Sequence, residues 1–463
     1  MPVAVPPVSR TGADALLALR DELNAAVDRL LSSPDEPLPD WHDLDAPPLP
    51  PSPAVSHAAA LSKELSALLM GPVGAFSRSF DFHVPACMRV AVEAHVAESL
   101  REAAVQGKAA VHVEDLAKPT GINSSKLARA LRLLAVNYIF EEVKPDTFAM
   151  NRLALALDTG KNVKELCSSK EWYTGTNGLA ALAVHTIDDC GKSAMHLPDT
   201  FLDPKTTNSF APTESPFNRA FRTEMPIWEY FAQPGNEHLA SRFGMAMIGT
   251  RMMAGGQSGA LNGFPFQDLP DGALIVDVGA GVGNVSLELA KVAPQVKLIL
   301  QDRPEVIQGE AVKVWDAQLP KEIQSGRVKL TPHDFFTPQP VKGADVYFMR
   351  AIIHDWPDKE ARTILSHLAA AASPSSKLIL CEQGYDYLSA FPPRRVPNPM
   401  PYYIDLQMAV ALNAQERTPA QYEALAAQAG WKLVKVWKTG PGGKDGMFRH
   451  YEFELANAEA GTA

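Results

Sequence analysis

The sequence has few cysteines, no excess of positive charge and no long apolar run. Its four cysteines (Cys87, Cys167, Cys190 and Cys381) are far apart and form no CxxC pair. That spacing fits free thiols in a reducing compartment better than disulfides or a zinc site. The net charge of −10 argues against a general nucleic-acid binder, which neutralises phosphates with clustered Lys and Arg. We therefore expect a small or neutral partner, with no metal and no nucleic acid.

Signals for export and for membrane insertion are also missing. The first residues, MPVAVPPVSR, contain prolines where a signal peptide needs a basic segment followed by an apolar one. No uninterrupted apolar run approaches the ~18 residues that a membrane span requires. The sequence therefore predicts a cytoplasmic protein without a membrane partner.

The 463 residues are enough for two domains and an N-terminal arm, and a hydrophobic fraction of 46% supports well-packed cores. Residues 13–32 repeat apolar side chains at helical spacing, which predicts a docking helix with Leu16, Leu19, Leu23, Val27 and Leu30 on one stripe. Residues 35–54 are rich in proline and suit an extended linker. We assign no chemistry to this arm.

Residues 85–156 read as helices followed by a winged-helix pattern. A turn at Gly121 and a cap at Asn123 or Ser124 precede a helix with leucines at positions 127, 131 and 134. The segment EEVKPDTFAMN then predicts a short hairpin, turning at Pro145-Asp146. Lys126, Arg129 and Arg132 lie off the leucine stripe, which leaves DNA binding as an alternative. Because the chain is acidic overall, dimerisation or packing of a substrate domain is the preferred interpretation.

From residue 273 onwards, strands alternate with helices. Short apolar runs (ALIVDVG, VKLILQD, ADVYFMR and KLILCEQ) are separated by segments of helix length. This alternation predicts an α/β fold, with a parallel sheet covered by helices on both faces. WKLVKVWKT and FRHYEFEL, near the end of the chain, predict an antiparallel hairpin that closes the sheet.

A glycine-rich motif follows the first of these strands. DVGAGVGN places Asp277, Gly279, Gly281 and Gly283 between a buried strand and a helix, where glycines allow a tight turn and a close approach of the ligand. In the dinucleotide fingerprint GxGxxG the third glycine would fall at Asn284, so a nicotinamide-dependent oxidoreductase is disfavoured. The GxGxG spacing suits a nucleoside that has no pyrophosphate.

Two further elements support a nucleoside site. Asp302 ends the next strand, where its carboxylate can accept hydrogen bonds from ribose hydroxyls. Asp334 and Phe335, in TPHDFF, offer a carboxylate and a ring that could bracket an adenine. Any one of these features could be structural, but their order along the chain favours a binding site.

The segment HDWPD follows the predicted strand ADVYFMR, in FMRAIIHDWPDKEARTIL. With the preceding motifs, it resembles the plant-type and fungal small-molecule O-methyltransferases, the family that contains caffeate and flavonoid methyltransferases. The resemblance runs from about residue 85 to residue 455. It implies a class I methyltransferase fold with a Rossmann-like sheet, a mainly α-helical winged-helix dimerisation domain, a homodimer and the cofactor S-adenosylmethionine.

The resemblance also implies roles for individual residues. His354 corresponds to the catalytic base, Glu382 to the acid that orients it through the other ring nitrogen, and Glu416 to a second acid. The implied cofactor residues are Asp277, Gly279, Gly281, Asp302, Asp334, Phe335 and Arg350, the last standing where the family has lysine. The implied substrate residues are Trp172, Tyr173, Met245, Met408, Asp355 and Asn413, with Phe217 and Asn218 beside the pocket. Asn413 matches only with a one-residue gap.

Three regions follow from these assignments. Residues 1–60 form the arm and linker, residues 61–265 the winged-helix dimerisation and substrate domain, and residues 266–463 the catalytic domain. The expected reaction is methyl transfer to a hydroxyl of a small aromatic compound, the proton being removed by His354. An alternative is a catalyst of dehydration or pericyclic rearrangement that binds the same cofactor without transferring the methyl group.

Overall fold

The computed structural model describes residues 12–33, 40–45, 52–169, 171–253, 261–383, 399–440 and 446–456. The chain divides into two compact units, residues 1–187 with 392–400, and residues 188–391 with 401–463. This division differs from the predicted boundaries. The N-terminal arm groups with the winged helix, and the helices after residue 188 group with the large sheet. Within the described ranges, no helix is both long and apolar enough to cross a membrane.

Helices make up most of the first unit. They are α1 (Gly12–Ser32), α2 (Pro53–Ser77), α3 (His83–Glu93), α4 (Val96–Val105), α5 (Val113–Ala117), α6 (Ser124–Val136), α7 (Val163–Ser168) and α8 (Leu179–His185). The predicted arm helix is present as α1. Leu19 is buried in a cluster with Leu61 of α2, whereas Leu16 and Val27 of the predicted stripe remain exposed. Much of the predicted linker lies outside the described residues.

The predicted winged-helix pattern is confirmed. Asn123 caps α6 through a hydrogen bond from the Lys126 backbone amide, and the predicted leucines 127, 131 and 134 are buried. The hairpin strands are β2 (Glu141–Lys144) and β3 (Thr147–Ala149), and β3 also pairs with β1 (Val111–His112). Arg132 donates to Glu142 and Asp146 of this hairpin. That pairing neutralises one of the basic side chains on which the DNA-binding alternative depended.

The second unit contains the remaining helices and the large sheet. Its helices are α9 (Gly191–Ala194), α10 (Leu197–Phe201), α11 (Pro216–Phe221), α12 (Ile227–Phe231), α13 (Glu237–Met253), α14 (Asn284–Val292), α15 (Pro304–Val306), α16 (Val312–Gln318), α17 (Pro320–Gln324), α18 (Asp358–Ala371), α19 (Met400–Leu412) and α20 (Pro419–Gln428). Its strands are β4 (Leu274–Val278), β5 (Lys297–Asp302), β6 (Val328–Pro332), β7 (Val346–Arg350), β8 (Lys377–Gln383), β9 (Trp431–Lys438) and β10 (Phe448–Leu455).

In the described part of the chain, these seven strands form one sheet in the order β6-β5-β4-β7-β8-β10-β9. The strands β4 to β8 pair in parallel, and the predicted C-terminal hairpin adds β10 and β9 antiparallel to them. Apolar residues on the two faces of the sheet belong to two separate core clusters. Both faces are therefore covered, as expected for a parallel sheet, and the chain order reverses between β4 and β7.

Candidate active site

Three predicted cofactor carboxylates lie at one edge of the sheet. Asp277 is near the end of β4, Asp302 ends β5, and Asp334 follows β6 by two residues. Because β4, β5 and β6 are neighbouring parallel strands, their carboxyl ends meet at the same edge. This is the edge at which open α/β sheets bind ligands, beside the point where the strand order reverses.

The glycine-rich turn between β4 and α14 has the backbone that the motif predicts. Gly279, Gly281 and Gly283 all adopt positive φ angles (76°, 57° and 84°), a conformation that side chains disfavour. A Cβ atom on Gly279 would lie 2.6 Å from Cδ1 of Ile352, whereas one on Gly281 would meet nothing within 4 Å. The turn therefore packs tightly against the segment that precedes His354 and leaves open space beside Gly281.

Two acidic groups, one buried and one half-buried, lie beside this turn. Asp302 Oδ2 accepts a 2.8 Å hydrogen bond from the Gly281 amide, and Asp277 Oδ2 accepts one of 2.6 Å from Ser286 Oγ. Burial raises the pKa of Asp277 to about 6 and also raises the pKa of Asp302. Carboxylates held so close to glycine backbone suit the hydroxyl and amino groups of a nucleoside cofactor.

The predicted adenine-binding pair follows β6. Asp334 is exposed, and the half-buried ring of Phe335 meets Trp356 edge to face, with a centroid distance of 5.8 Å. The loop is tied to β5 by a buried pair of amides. Gln301 and Gln339 donate to each other at 2.9 and 2.8 Å. No sequence pattern predicts this pair, because an isolated glutamine in a strand has no distinctive spacing.

Arg350, which stands in the position of the family lysine, ends β7. Its guanidinium carbon lies 4.7 Å from the centre of the Phe448 ring, a cation–π arrangement that a planar guanidinium favours. Its Nε is buried and has no hydrogen-bond partner among the residues that the structure describes. Arg350 thus keeps the positive charge of the family lysine, but the Phe448 ring of β10 fixes the orientation of its guanidinium.

His354 lies in a short 3₁₀ turn, Ile353–Asp355, directly after β7. The side chain is buried, and its Nδ1 lies 2.6 Å from Oε1 of Glu416, in the loop between α19 and α20. A carboxylate can only accept, so Nδ1 carries a proton and Nε2 is the nitrogen that can exchange one with a substrate.

Asp405 was missed by the sequence analysis. Its Oδ1 accepts a 2.9 Å hydrogen bond from the Glu416 amide and so helps to hold this loop.

The prediction that Glu382 orients His354 through a ring nitrogen is wrong. Oε1 of Glu382 accepts the backbone amides of Ile352 and Ile353, at 3.1 and 2.7 Å. Its Oε2 is buried without a hydrogen-bond partner in the described part of the chain. Because Glu382 is at the end of β8, directly beside β7, it reaches the backbone of the catalytic turn. Glu416, from a distant loop, contacts the ring instead.

The electrostatic surroundings of His354 favour the protonated ring. Burial alone would lower the pKa of His354, but the negative charges of Glu416, Asp355 and Glu382 outweigh it and raise the pKa to about 10. Asp355 Oδ1 lies 3.4 Å from Nε2. Burial raises the pKa of Asp355 to about 6 and that of Glu382 to about 7. The site is built to stabilise a proton on the imidazole.

The predicted substrate residues in the second unit differ in their surroundings. Met408 is buried in an apolar cluster with Phe217, whereas Met245 is half-buried on α13. Asn413 uses its amide nitrogen to donate to the Ser209 and Ala211 carbonyls, both at 3.0 Å. Only the oxygen of Asn413 is left for a substrate. Asn218 closes a capping box on α11.

Trp172 and Tyr173 belong to the first unit. The indole nitrogen of Trp172 donates to the Leu166 carbonyl at 2.9 Å, and its ring meets His95 edge to face. Tyr173 is buried beside it. These contacts give both rings a fixed place within their own unit, and their part in a substrate pocket stays a prediction.

The sheet order, the glycine turn and the acidic edge define a class I methyltransferase with a helical N-terminal domain. Residues 196–432 match the family model described as an O-methyltransferase domain. The chain is 37% identical to an O-methyltransferase of Armillaria gallica, over 83% of this chain and 85% of the relative. The protein belongs to the plant and fungal family of S-adenosylmethionine-dependent O-methyltransferases.

Solved structures share the fold at low sequence identity. OxaC, in complex with SAH and oxaline, superposes with a TM-score of 0.72 at 21% identity, covering 96% of this chain and 100% of that one. A structure described as a pericyclic reaction enzyme gives a TM-score of 0.68 at 23% identity, covering 95% of this chain and 100% of that one. At these identities, the similarity shows a shared fold.

Proposed function

We propose that the protein methylates a phenolic hydroxyl of a small aromatic compound, with His354 as the general base. The single observation that carries this proposal is the 2.6 Å contact between Glu416 and Nδ1 of the buried His354. It fixes the tautomer of the ring and leaves Nε2 to take the proton of an acceptor hydroxyl. The reaction class is that of the family, whereas the phenolic acceptor and the role of His354 are our inference.

The pKa of His354 supports a phenol as the acceptor. A neutral hydroxyl is a poor nucleophile, so its proton must leave as the methyl group is transferred. An ordinary imidazole, with a pKa near 6.5, is ~3.5 units too weak to deprotonate a phenol near pKa 10, which corresponds to roughly 5 kcal/mol. The carboxylates around His354 raise its pKa above this ordinary value, which makes transfer of the proton from a phenol to the neutral ring more favourable. An aliphatic alcohol, which is several units less acidic, would still be a difficult substrate.

The residues at the sheet edge fit the cofactor. S-adenosylmethionine, when bound, supplies an electrophilic methyl group and a sulfonium charge. In this proposal, Asp302 would accept hydrogen bonds from the ribose hydroxyls, and Asp334 with Phe335 would hold the adenine. Asp277 and Gly279 lie at the start of the glycine turn, which has open space beside Gly281, and Arg350 supplies a cation at the end of β7.

The acceptor is expected to be flat and largely apolar. In the second unit, Met245 and Met408 would supply apolar walls, while Asp355 and the oxygen of Asn413 would supply polar contacts. Trp172 and Tyr173 are proposed as substrate residues from the family resemblance alone. Asp355 is the best placed of these residues, since its carboxylate lies beside Nε2 of His354. We also propose a cytoplasmic homodimer, as the family resemblance and the reducing pattern of the cysteines suggest.

The test is a methyl-transfer assay with labelled cofactor and a panel of phenols and aliphatic alcohols. We expect transfer to phenols and a loss of at least about 10²-fold in His354→Ala, the size expected for positioned proton transfer. S-adenosylhomocysteine should still bind to this variant. His238→Ala, which removes an exposed histidine of α13, is the matched control. A fully active His354→Ala variant would refute the role of His354 as general base.

The second candidate is a catalyst that binds the cofactor without transferring its methyl group. It is favoured by the structural similarity to the pericyclic reaction enzyme. Tight cofactor binding, with no methylation of any acceptor and conversion of a polyene or dienol substrate, would support this candidate. The intact set of His354, Glu382 and Glu416 favours methyl transfer.

A further inference from the structure

Arg417 is a buried cation beneath the catalytic turn. Only 1% of its side chain is exposed. Its Nη1 donates to the Ile353 carbonyl at 2.9 Å, and its Nη2 donates to the Trp356 carbonyl at 2.8 Å. Nε and Nη2 also donate to Asp358 Oδ1, at 3.0 and 2.7 Å. One guanidinium thus binds both ends of the segment that contains His354 and Asp355.

The turn that Arg417 holds has an irregular backbone. Ala351, just before it, has a φ of 50°, which costs a residue with a side chain about 1 kcal/mol or more. A strained segment persists only when its surroundings fix it. Here Glu382 binds the amides at the start of the turn, and Arg417 binds carbonyls on either side of His354.

Arg417 also follows Glu416 directly in the chain. The Glu416 side chain holds the imidazole ring, and the Arg417 side chain holds the backbone that carries that ring. On the other side, Thr418 forms a capping box with Gln421 at the start of α20. The loop is thus anchored by α20 and by Asp405, so two adjacent residues set where the ring lies relative to its carboxylate.

We propose that Arg417 is a positioning residue for the reaction, which sets the distance between His354 and Glu416 by holding the Ile353 and Trp356 carbonyls. Lysine cannot replace it, because a single ammonium on a flexible stem does not reproduce the planar fork that serves two carbonyls and a carboxylate together. This inference rests on the proposed role of His354 as base.

The chain offers a matched control for this arrangement. Arg327 also donates to two backbone carbonyls, those of Val296 and Ala290, and to one carboxylate, that of Glu322. Its partners lie just before β5, in α14 and in α17 rather than in the catalytic turn. Arg417→Lys and Arg327→Lys therefore remove comparable hydrogen bonds and keep the charge, but only one of them acts on His354.

The first measurement is the single-turnover rate of methyl transfer, beside the dissociation constant of S-adenosylhomocysteine. We expect Arg417→Lys to slow transfer at least about tenfold, since small misplacements of a catalytic group have effects of this size or larger. Cofactor affinity should change by less than about threefold, and Arg417→Met should be slower than Arg417→Lys. Arg327→Lys should keep the wild-type rate per folded molecule. Thermal unfolding supplies the folded fraction for this correction.

The second measurement is the titration of His354 in the cofactor-free protein, by NMR of labelled histidine, with His354→Gln used to assign the signal. Because Arg417→Lys keeps the charge, a change in the pKa of His354 reports on geometry. Glu416, Asp355 and Glu382 face the ring and raise its pKa, so a looser contact with Glu416 should lower it. This readout needs no acceptor, and it separates a failure of this inference from a failure of the proposed function.

Two results would overturn the proposal. In the first, Arg417→Lys loses activity only in proportion to its unfolded fraction, as a purely structural arginine would. In the second, the pKa of His354 in Arg417→Lys equals that of the wild type. Asp358→Asn removes the exposed partner of Arg417 but keeps both carbonyl contacts, and we expect it to leave the titration of His354 within error of the wild type.

Discussion

Oε1 of Glu416 lies 2.6 Å from Nδ1 of His354, although the two residues are 62 positions apart in the chain. The contact joins the turn after β7 to the loop between α19 and α20. Glu382, from the neighbouring strand, binds the backbone of the same turn. The two acids therefore have separate tasks, one on the ring and one on the main chain, and their variants should behave differently.

Glu416→Gln should change the pH dependence of methyl transfer. The charge of Glu416 raises the pKa of His354, so without it the ring loses its proton at lower pH. The acidic limb of the rate profile should therefore move to lower pH, and the maximal rate should fall about 10²-fold because the base is weaker and less well oriented. Rates measured from about pH 6 to about pH 11, a range that includes the wild-type pKa of about 10, check this. Glu423→Gln, on the exposed face of α20, should leave the profile in place.

Glu382→Gln should change the pH dependence of stability. Burial raises the pKa of Glu382 from 4.5 to about 7 in the folded protein. A raised pKa means that the folded state holds its proton more tightly, so this contribution to stability is complete below pH 4.5 and is lost as the pH rises through 7. The wild type should lose stability relative to Glu382→Gln across this window. Urea unfolding of both proteins at each pH measures the difference, and a constant difference would contradict the prediction.

Gly279→Ala should destabilise the cofactor-free protein. The new Cβ meets Cδ1 of Ile352 at 2.6 Å, and the backbone has a φ of 76°. We expect a loss of about 1–3 kcal/mol from the free energy of unfolding. Gly272→Ala is the control for backbone strain alone, because Gly272 has a φ of 78° and open space around it. Gly272→Ala should lower the free energy of unfolding by about 1 kcal/mol. Equal losses in the two variants would argue against the packing between Gly279 and Ile352.

Asp302→Asn should weaken cofactor binding. The carboxylate that would accept from the ribose hydroxyls loses its charge, and charge-assisted hydrogen bonds are worth about 1.5–3 kcal/mol. The dissociation constant of S-adenosylhomocysteine should rise at least about tenfold by calorimetry. Asp268→Asn, which alters an exposed carboxylate of the same unit, should bind as the wild type does. An unchanged constant for Asp302→Asn would remove Asp302 from the cofactor site.

Local sequence patterns predicted most of the elements. The alternation of apolar runs and helices predicted β4, β5, β7 and β8, and the leucine spacing predicted α6 with its cap. The strand β6 (Val328–Pro332) was missed, because only Val328 of its residues is fully buried and it has no continuous apolar run. Single residues such as Gln301, whose partner is far along the chain, also carried no signal.

The sequence by itself determined the glycine turn, the strand-end acids and the presence of a histidine after β7. These features depend on neighbouring residues, since backbone conformation and strand periodicity are local properties. Only the tertiary structure decided that Glu416 holds the ring, that Glu382 holds the turn and that Arg417 is buried beneath them. These contacts join segments about 30 to 60 residues apart, and chain spacing says nothing about which of two acids comes closer. That choice is made by strand order and by the anchoring of the loop before α20, which arise only when the sheet is assembled.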